Sequence, residues 1–379
     1  MKAFKMNKKI RIYCILGGLL GNKTQSNRFL EALKKIDWIE FDYFFVTPED
    51  YHNYSAPIWL KWSSALEVAY IAHKKFNDKC KDRDFEILLI NGYEIAQGVK
   101  DIIRQYPTIL ALDATPILAH ELLQKITKDK ALCLRSQIAK FFMGHLFRNV
   151  FSNVDWFMPC GRWCGDAIAK SYHISPSNMT IIYCPIHLDT FKPSLNNSGR
   201  PFTVLFIGND FLRKGGDLLL RIYKKFLYKE NIRLKIVSSD SCLSRDFSEL
   251  AEGVEILKDL SEKQIINVFQ SADLFVLPTI KEYLGNVIAE SLSVGVPVIT
   301  RDVGSLKEMV KDGFNGILMP YNSSEEEWVQ KILYLYRNKN VLREYSINAR
   351  KTAEEMFDFN RFKVDLEQIL KKVNPAQNK

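Results

Sequence analysis

The chain reads as an α/β protein built from two doubly wound parallel-sheet domains, and three observations carry that reading. Short apolar segments of strand length alternate with amphipathic segments of helix length along almost the whole sequence. Several strands are continuous apolar runs, such as Ile87-Leu88-Leu89-Ile90 and Leu274-Phe275-Val276-Leu277. Alternating patterns mark sheets wetted on one face, whereas continuous runs mark parallel strands covered by helices on both faces. The length of 379 residues suits two domains of roughly 150 residues each.

In order, the first half places strands near 10–16, 40–46, 86–90, 108–112, 155–158 and 179–183. The second half places them near 203–207, 233–238, 254–257, 273–277 and 297–300. Helices are expected between them, among others over 24–35, 62–77, 215–229 and 325–338, with a last helix over 359–373 that crosses back to the first domain. The stretch 190–201 is polar, punctuated by Pro and Gly and without apolar period, so it reads as the linker. The expected domains are 1–192, 193–358 and a C-terminal helical segment 359–379. Lys2, Lys5, Lys8, Lys9 and Arg11 before the apolar run Ile12–Leu20 imitate a secretory leader. Gly17 and Gly18 interrupt that run and no small-x-small site follows it, so it reads as a buried first strand and its turn. No stretch has the ~18 uninterrupted apolar residues of a membrane span.

Hydrophobic residues at 47% and charged residues at 26% exclude a disordered or fibrous chain. The net charge of +9 is lopsided: residues 1–200 hold 27 basic and 19 acidic side chains, and residues 201–379 hold 26 and 25. The first half is therefore expected to face something anionic. Seven cysteines, odd in number and irregular in spacing, argue against a disulfide framework or zinc site and for a reducing cytoplasm.

Two loops carry chemistry. After the strand near 203–207 comes Gly208-Asn209-Asp210-Phe211-Leu212-Arg213-Lys214-Gly215-Gly216, then a helix. Glycines let the backbone turn tightly, and Arg213 with Lys214 sets two cations where open α/β sheets bind ligands and helix N-termini favour anions. After the strand near 273–277 comes Thr279-Ile280-Lys281-Glu282-Tyr283-Leu284-Gly285-Asn286-Val287-Ile288-Ala289-Glu290. Gly285 and Asn286 open a helix there, with Asn286 expected to cap it. Amides at 285–287 suit phosphate oxygens. Glu290, one turn in, suits vicinal hydroxyls, and Glu282 suits another polyol. The ordinary alternative for both loops is a surface turn with solvated charges.

These stretches are similar to the donor domain of the retaining glycosyltransferases of family four, the group-1 type with the GT-B fold. The likeness is carried by Phe206-Ile207-Gly208 through Lys214-Gly215, Leu277-Pro278-Thr279, the pair Glu282 and Glu290 with seven residues between them, Ser291 through Ile299, Val303-Gly304-Ser305, and Asp312 through Gly316. The interdomain stretch Ile182-Tyr183-Cys184-Pro185-Ile186-His187-Leu188-Asp189 resembles the family's crossover strand. The resemblance is clear over about 155–320; the first 150 residues match in architecture and in the Gly17-Gly18 turn.

That resemblance implies two Rossmann-like domains facing a central cleft, and transfer of a hexose from a nucleoside-diphosphate sugar to a glycan or lipid-linked acceptor with retention. Arg213 and Lys214 would neutralise the diphosphate, whose charge grows as the glycosidic bond breaks. Glu290 would hold the ribose, Glu282 the sugar hydroxyls, and the amides of Gly285, Asn286 and Val287 the phosphate or the sugar; Gly208 would line the donor site, and the segment of Lys258 and Leu260 would lie beside the base. Gly17 and Gly18 would let the first-domain loop approach the same phosphates. The chain departs from the family at two positions: Gly208-Asn209 stands where Gly-Arg is common, and Asp113 stands where many members carry a His. Asp113 is expected to take that polar role ahead of His120.

No metal is expected. Asp82-Arg83-Asp84 has the D-x-D form of metal-dependent transferases, but it lies before the strand near 86–90, at the wrong end for a ligand. On the acceptor side, residues 122–150 hold Lys125, Lys128, Lys130, Arg135, Lys140 and Arg148 against Asp129, interleaved with apolar residues. Such a segment suits an anionic membrane surface or a docked acceptor, and equally a packed helix with a basic edge. The expected setting is the cytoplasm, with the inner face of the cytoplasmic membrane as the surface on which such a segment would dock. Nucleic acid is not an expected partner, because no recognition module is present. No G-x-G-x-x-G follows either leading strand, against a dehydrogenase. A pyridoxal-anchoring lysine motif is missing, against a phosphorylase. A homologue that binds a nucleotide sugar or glycan without turnover is the remaining alternative.

Overall fold

In the computed structural model the chain is described over residues 9–18, 20–57, 60, 63–80, 84–126, 130–194, 199–243 and 252–374, without the side chains of 20–22, 125, 126 and 132. It divides into two compact units, Met1–Pro185 with Asn360–Lys379, and Ile186–Phe359.

The first unit holds a five-stranded parallel sheet. Its strands are β1 (Ile10–Gly17), β2 (Ile39–Val46), β3 (Ile87–Asn91), β4 (Thr108–Leu112) and β5 (Trp156–Pro159), in the order β2-β1-β3-β4-β5. Every residue of β3 and β4 is buried, as their unbroken apolar sequences require. From β2 the chain returns past β1 to form β3, so the order reverses between β1 and β3. Ligands of open α/β sheets sit at such a reversal, outside the carboxyl ends of the strands.

The second unit repeats the plan with six strands, in the order β11-β10-β9-β6-β7-β8. They are β6 (Phe202–Ile207), β7 (Ile232–Val237), β8 (Val254–Leu257), β9 (Leu274–Leu277), β10 (Val298–Arg301) and β11 (Gly316–Met319). All pairings are parallel. The reversal falls between β6 and β9, the two strands whose following loops carry Arg213-Lys214 and Glu282.

Three expectations need correction. Residues 179–183 form no strand. Thr180 and Ile182 donate their N–H groups to Phe157 and Pro159 at 2.9 Å each, but only Met179 makes a bridge, to Phe157. The apolar residues there are met by one-sided bonds to the sheet edge and not by a ladder. The sequence reading missed β11, a four-residue strand closing the far edge of the second sheet. The helix expected over 215–229 ends at Lys225, and Leu227–Lys229 is a separate 3-10 turn.

The last helix, Phe359–Val373, packs on the first unit through several contacts. The Phe362 ring meets Phe29 edge-on at 5.2 Å between centroids. Trp38 Nε1 donates to Glu367 at 3.2 Å, and Lys372 lies 4.6 Å over the Trp156 ring. Leu366 and Leu370 are fully buried. Residues 186–191 are stitched to the second unit. Ile186 exchanges backbone bonds with Phe357 and Phe359, and Arg350 Nη1 donates to the Phe191 and Ser293 carbonyls at 2.6 and 2.7 Å. These bonds set the unit boundary at Pro185/Ile186.

Candidate functional site

In the second unit, the loop after β6 begins at Gly208, whose N–H donates to Val237 at 2.9 Å. A Cβ at Gly208 would stand 2.5 Å from the Lys214 side chain, so the glycine makes room for the stem of that lysine. Gly215, at φ +77°, sits against the Pro278 carbonyl. Only a residue without a Cβ fits such a left-handed turn beside backbone. Gly215 thus brings the loop after β6 against the loop after β9, and Ile280 N–H donates to the Arg213 carbonyl at 2.9 Å.

The charged side chains converge there. Lys214 Nζ donates to Glu282 Oε2 at 3.1 Å, and Arg213 Nη1 lies 4.0 Å from the same oxygen. Arg213 Nε donates to Asp210 at 2.5 Å, and its Nη1 to the Lys281 carbonyl. Lys281 is a third cation that the sequence reading passed over. Burial, and then the positive charge of Arg213, hold its ammonium below the usual lysine range. Its adjacency to Glu282 was the available signal. Glu282 itself is held from behind: Gly304, at φ +59°, packs on its carbonyl, and Ser305 N–H donates to Tyr283 at 3.2 Å. Thr279 Oγ1 donates to the Lys281 carbonyl at 3.0 Å. The loop is therefore preorganised by its own side chains.

The helix that follows spans Asn286–Ser293. Contrary to expectation, Gly285 and not Asn286 occupies the cap position, at φ +78°. Its glycine conformation turns the chain where a capping side chain would otherwise do so. Val287, Ile288, Ala289 and Leu292 bury this helix in the unit, while Glu290 is half-buried one turn from its start. Asn209, where a family cation is often found, accepts from Ser239 N–H at 3.0 Å. Ser239 Oγ donates to Asp259 at 2.7 Å. Asn209 therefore ties together the ends of β6 and β7 and the turn after β8. Lys258 and Leu260 flank Asp259 in that turn, the first exposed and the second half-buried. The rim at the ends of β6 and β9 thus brings three cations, Arg213, Lys214 and Lys281, together with two carboxylates, Asp210 and Glu282. Such a rim can hold an anion on its cations and hydroxyls on its carboxylates.

In the first unit, Gly17 closes β1 and its carbonyl accepts from Ser26 Oγ at 3.0 Å. Gly18 N–H donates to Val46 at 2.8 Å, and a Cβ there would stand 2.8 Å from both the Val46 carbonyl and the Thr47 methyl. Asn91 Nδ2 donates to Ser26 Oγ at 3.0 Å, joining the ends of β1 and β3. Asp113 follows β4 and is half-buried. Glu94, in the first turn of the helix Tyr93–Gly98 that follows β3, was not singled out from the sequence. Burial, and then the Asp113 charge, push its carboxyl up to about 7. His120 Nδ1 lies 3.2 Å from Ser136 Oγ, which also donates to the His120 carbonyl at 3.1 Å. His120 thus joins two helices. Of the D-x-D stretch, Asp82 and Arg83 lie outside the described residues, and Asp84 is an exposed partner of Arg11. A surface hollow lined by Arg11, Phe41, Asp78 and Asp84 opens on that same amino-terminal edge of the sheet, opposite the β1/β3 reversal.

Residues 189–352 match the family described as "Glycosyl transferases group 1". An uncharacterized glycosyltransferase of Methanocaldococcus jannaschii is 29% identical over 192 residues, covering 44% of this chain and 49% of that protein. The chain thus spans half or less of the length of the curated relatives it matches first. Among solved structures, sucrose-phosphate synthase of Thermosynechococcus elongatus superposes with a TM-score of 0.78 at 15% identity, over 97% of this chain and all of that one. Anabaena HepE, solved with UDP and glucose, superposes with a TM-score of 0.69 at 14% identity, over 96% and 99%. The fold is the GT-B pair of doubly wound α/β units.

Proposed function

We propose that this chain, which carries a glycosyl transferases group 1 domain at residues 189–352, is a retaining hexosyltransferase. It moves a sugar from a nucleoside diphosphate to a glycan or lipid-linked acceptor and needs no divalent ion. One observation carries the reading: Arg213, Lys214 and Glu282 meet at the reversal between β6 and β9. The likeness to a fold seen with UDP and glucose in Anabaena HepE supports a nucleotide-sugar donor. The seven cysteines, none of them in a disulfide, suit a reducing cytoplasm.

In this reading Arg213 and Lys214 bind the donor diphosphate and stabilise the charge that accumulates on it as the anomeric bond lengthens. The pair with Glu282 keeps both cations oriented, and Glu282 shares its carboxylate with sugar hydroxyls. Glu290 accepts hydrogen bonds from the ribose. The first amides of the helix Asn286–Ser293 and the space at Gly208 serve the phosphates, and Lys258 and Leu260 flank the base. In the first unit, Gly17 and Gly18 leave room for an anion beside the end of β1, and Asp113 offers a polar contact for a sugar. The departing phosphate, held by these cations, takes the acceptor proton on the face it leaves, which gives retention without a protein nucleophile.

Thermal stabilisation against UDP-, GDP-, ADP- and CMP-linked sugars tests this, with and without EDTA. The expected result is a shift of several degrees with one base, unchanged by EDTA. No shift with any donor overturns the donor site. A shift without product in an acceptor screen leaves binding without turnover, the alternative reading.

A further inference from the structure

The helix Lys130–Phe151 has two apolar faces. One is spent on the core: Met143, Phe147 and Phe151 are buried, and Gly144 lets Ile117 approach within 3.2 Å of where a Cβ would stand. The other faces solvent, where Leu134, Ile138, Phe141 and Phe142 are 58, 51, 75 and 64% exposed. Spacings of four, three and one place them on a single stripe. The Phe141 and Phe142 rings stand edge to face at 5.8 Å. Eleven large apolar residues are exposed among the described residues, and four of them lie on this one helix. Isolated exposed apolar residues are ordinary, but a contiguous stripe marks a contact surface.

Charge selects the occupant. The helix contains no Asp or Glu. At 3.6 residues per turn, Lys130 and Arg148 border one side of the stripe and Arg135 the other. All three are exposed. Lys140, further round, is paired with Glu121 at 2.6 Å. A second copy docked through this face would set its cations against the same cations, which is repulsive. An apolar stripe flanked by two cations on one side and one on the other matches the boundary between acyl chains and anionic headgroups. No described helix is long and apolar enough to cross a membrane.

We propose that this helix lies on an anionic lipid bilayer, with Phe141, Phe142, Ile138 and Leu134 entering the acyl boundary and Lys130, Arg135 and Arg148 meeting the headgroups. This deepens the lipid-linked acceptor reading above, on which it rests for its purpose but not for its test. The structure assigns the anchoring to the aromatic stripe rather than to charge alone. Of the basic residues noted in the sequence, the Lys125 side chain and all of Lys128 lie outside the described residues.

The test is co-flotation of the full chain with phosphatidylcholine vesicles, with and without phosphatidylglycerol. Wild type is expected to float with the anionic vesicles only, and less at high salt. Phe141→Ser with Phe142→Ser should lower partitioning at least about tenfold. Arg135→Gln with Arg148→Gln should weaken binding and flatten its salt dependence. Both variants change exposed side chains, so their melting temperatures should match wild type. Wild type left at the bottom with anionic vesicles at low salt overturns the proposal. So does a double serine variant that floats normally, or one that only converts a dimer to a monomer. Nucleotide-sugar stabilisation is read on the same samples: its loss alongside normal flotation would sink the donor reading and leave this one standing.

Discussion

Lys214 Nζ stands 3.1 Å from Glu282 Oε2, across 68 residues of sequence. Arg213 reaches the same oxygen at 4.0 Å, so one carboxylate orients two neighbouring cations. Lys214 is nearly buried, with 18% of its side chain exposed, and a charge in that setting acts more strongly than one in water. Removing it should cost most where charge is still growing. Lys214→Ala is expected to lower kcat about a hundredfold while raising the donor KM only a few-fold. Steady-state kinetics check this; a raised KM with normal kcat would assign Lys214 to ground-state binding.

Glu290 is half-buried on a helix whose other faces are packed, so its carboxylate has a narrow range of positions. Glu290→Ala should weaken binding of the preferred nucleoside diphosphate by about tenfold, as expected for losing charge-assisted hydrogen bonds. Calorimetric titration reads the change directly. Unaltered affinity removes Glu290 from the site.

Glu94 gives a pH signature. Its carboxyl titrates near 4.5 in the unfolded chain and at about 7 in the fold, raised by burial and by Asp113. A raised carboxyl binds its proton more tightly when folded. Its stabilising contribution is therefore complete below about pH 4.5 and is lost as pH rises through about 7. Glu94→Gln should match wild type at the acid end and exceed it above pH 7, by on the order of 2 kcal/mol after allowing for partial exposure. Urea unfolding at pH 5 and pH 8 decides it; parallel pH dependences in the two proteins would contradict the shift.

Arg350 gathers the carbonyls of Leu188, Phe191 and Ser293 into one guanidinium. Methionine keeps the stem and removes the donors. Arg350→Met should destabilise the second unit by about 2–4 kcal/mol, because buried carbonyls would lose their partners. Denaturant midpoints of variant and wild type provide the comparison, and a change under 1 kcal/mol would show that water replaces those bonds.

Much of this molecule is local enough to read from its residues. The continuous apolar runs at 87–90 and 274–277 become fully buried strands, because a segment without a polar face has no other stable place. The last helix starts and stops where its period does. The run 179–183 misled because apolar content sets burial, while laddering depends on a neighbour that offers bonds on both sides. Strand β11 escaped because four residues following a glycine-rich turn carry too short a pattern to count. Gly208 and Gly215 were legible as turn residues; that one yields to the Lys214 stem and the other to the Pro278 carbonyl was not.

Residue types and spacing alone determined the two-domain α/β class and the two loops that hold Arg213, Lys214 and Glu282, since period and glycine placement act along the chain. Tertiary structure decided what no spacing contains. It closed 68 residues of chain into one ion pair, added Lys281, committed Asn209 to Ser239 and coupled Glu94 to Asp113. It also turned Phe141 and Phe142 outward. The reason is physical: partners and exposure depend on which elements the sheet order makes neighbours, and that order is set by packing of the whole unit rather than by any segment of it.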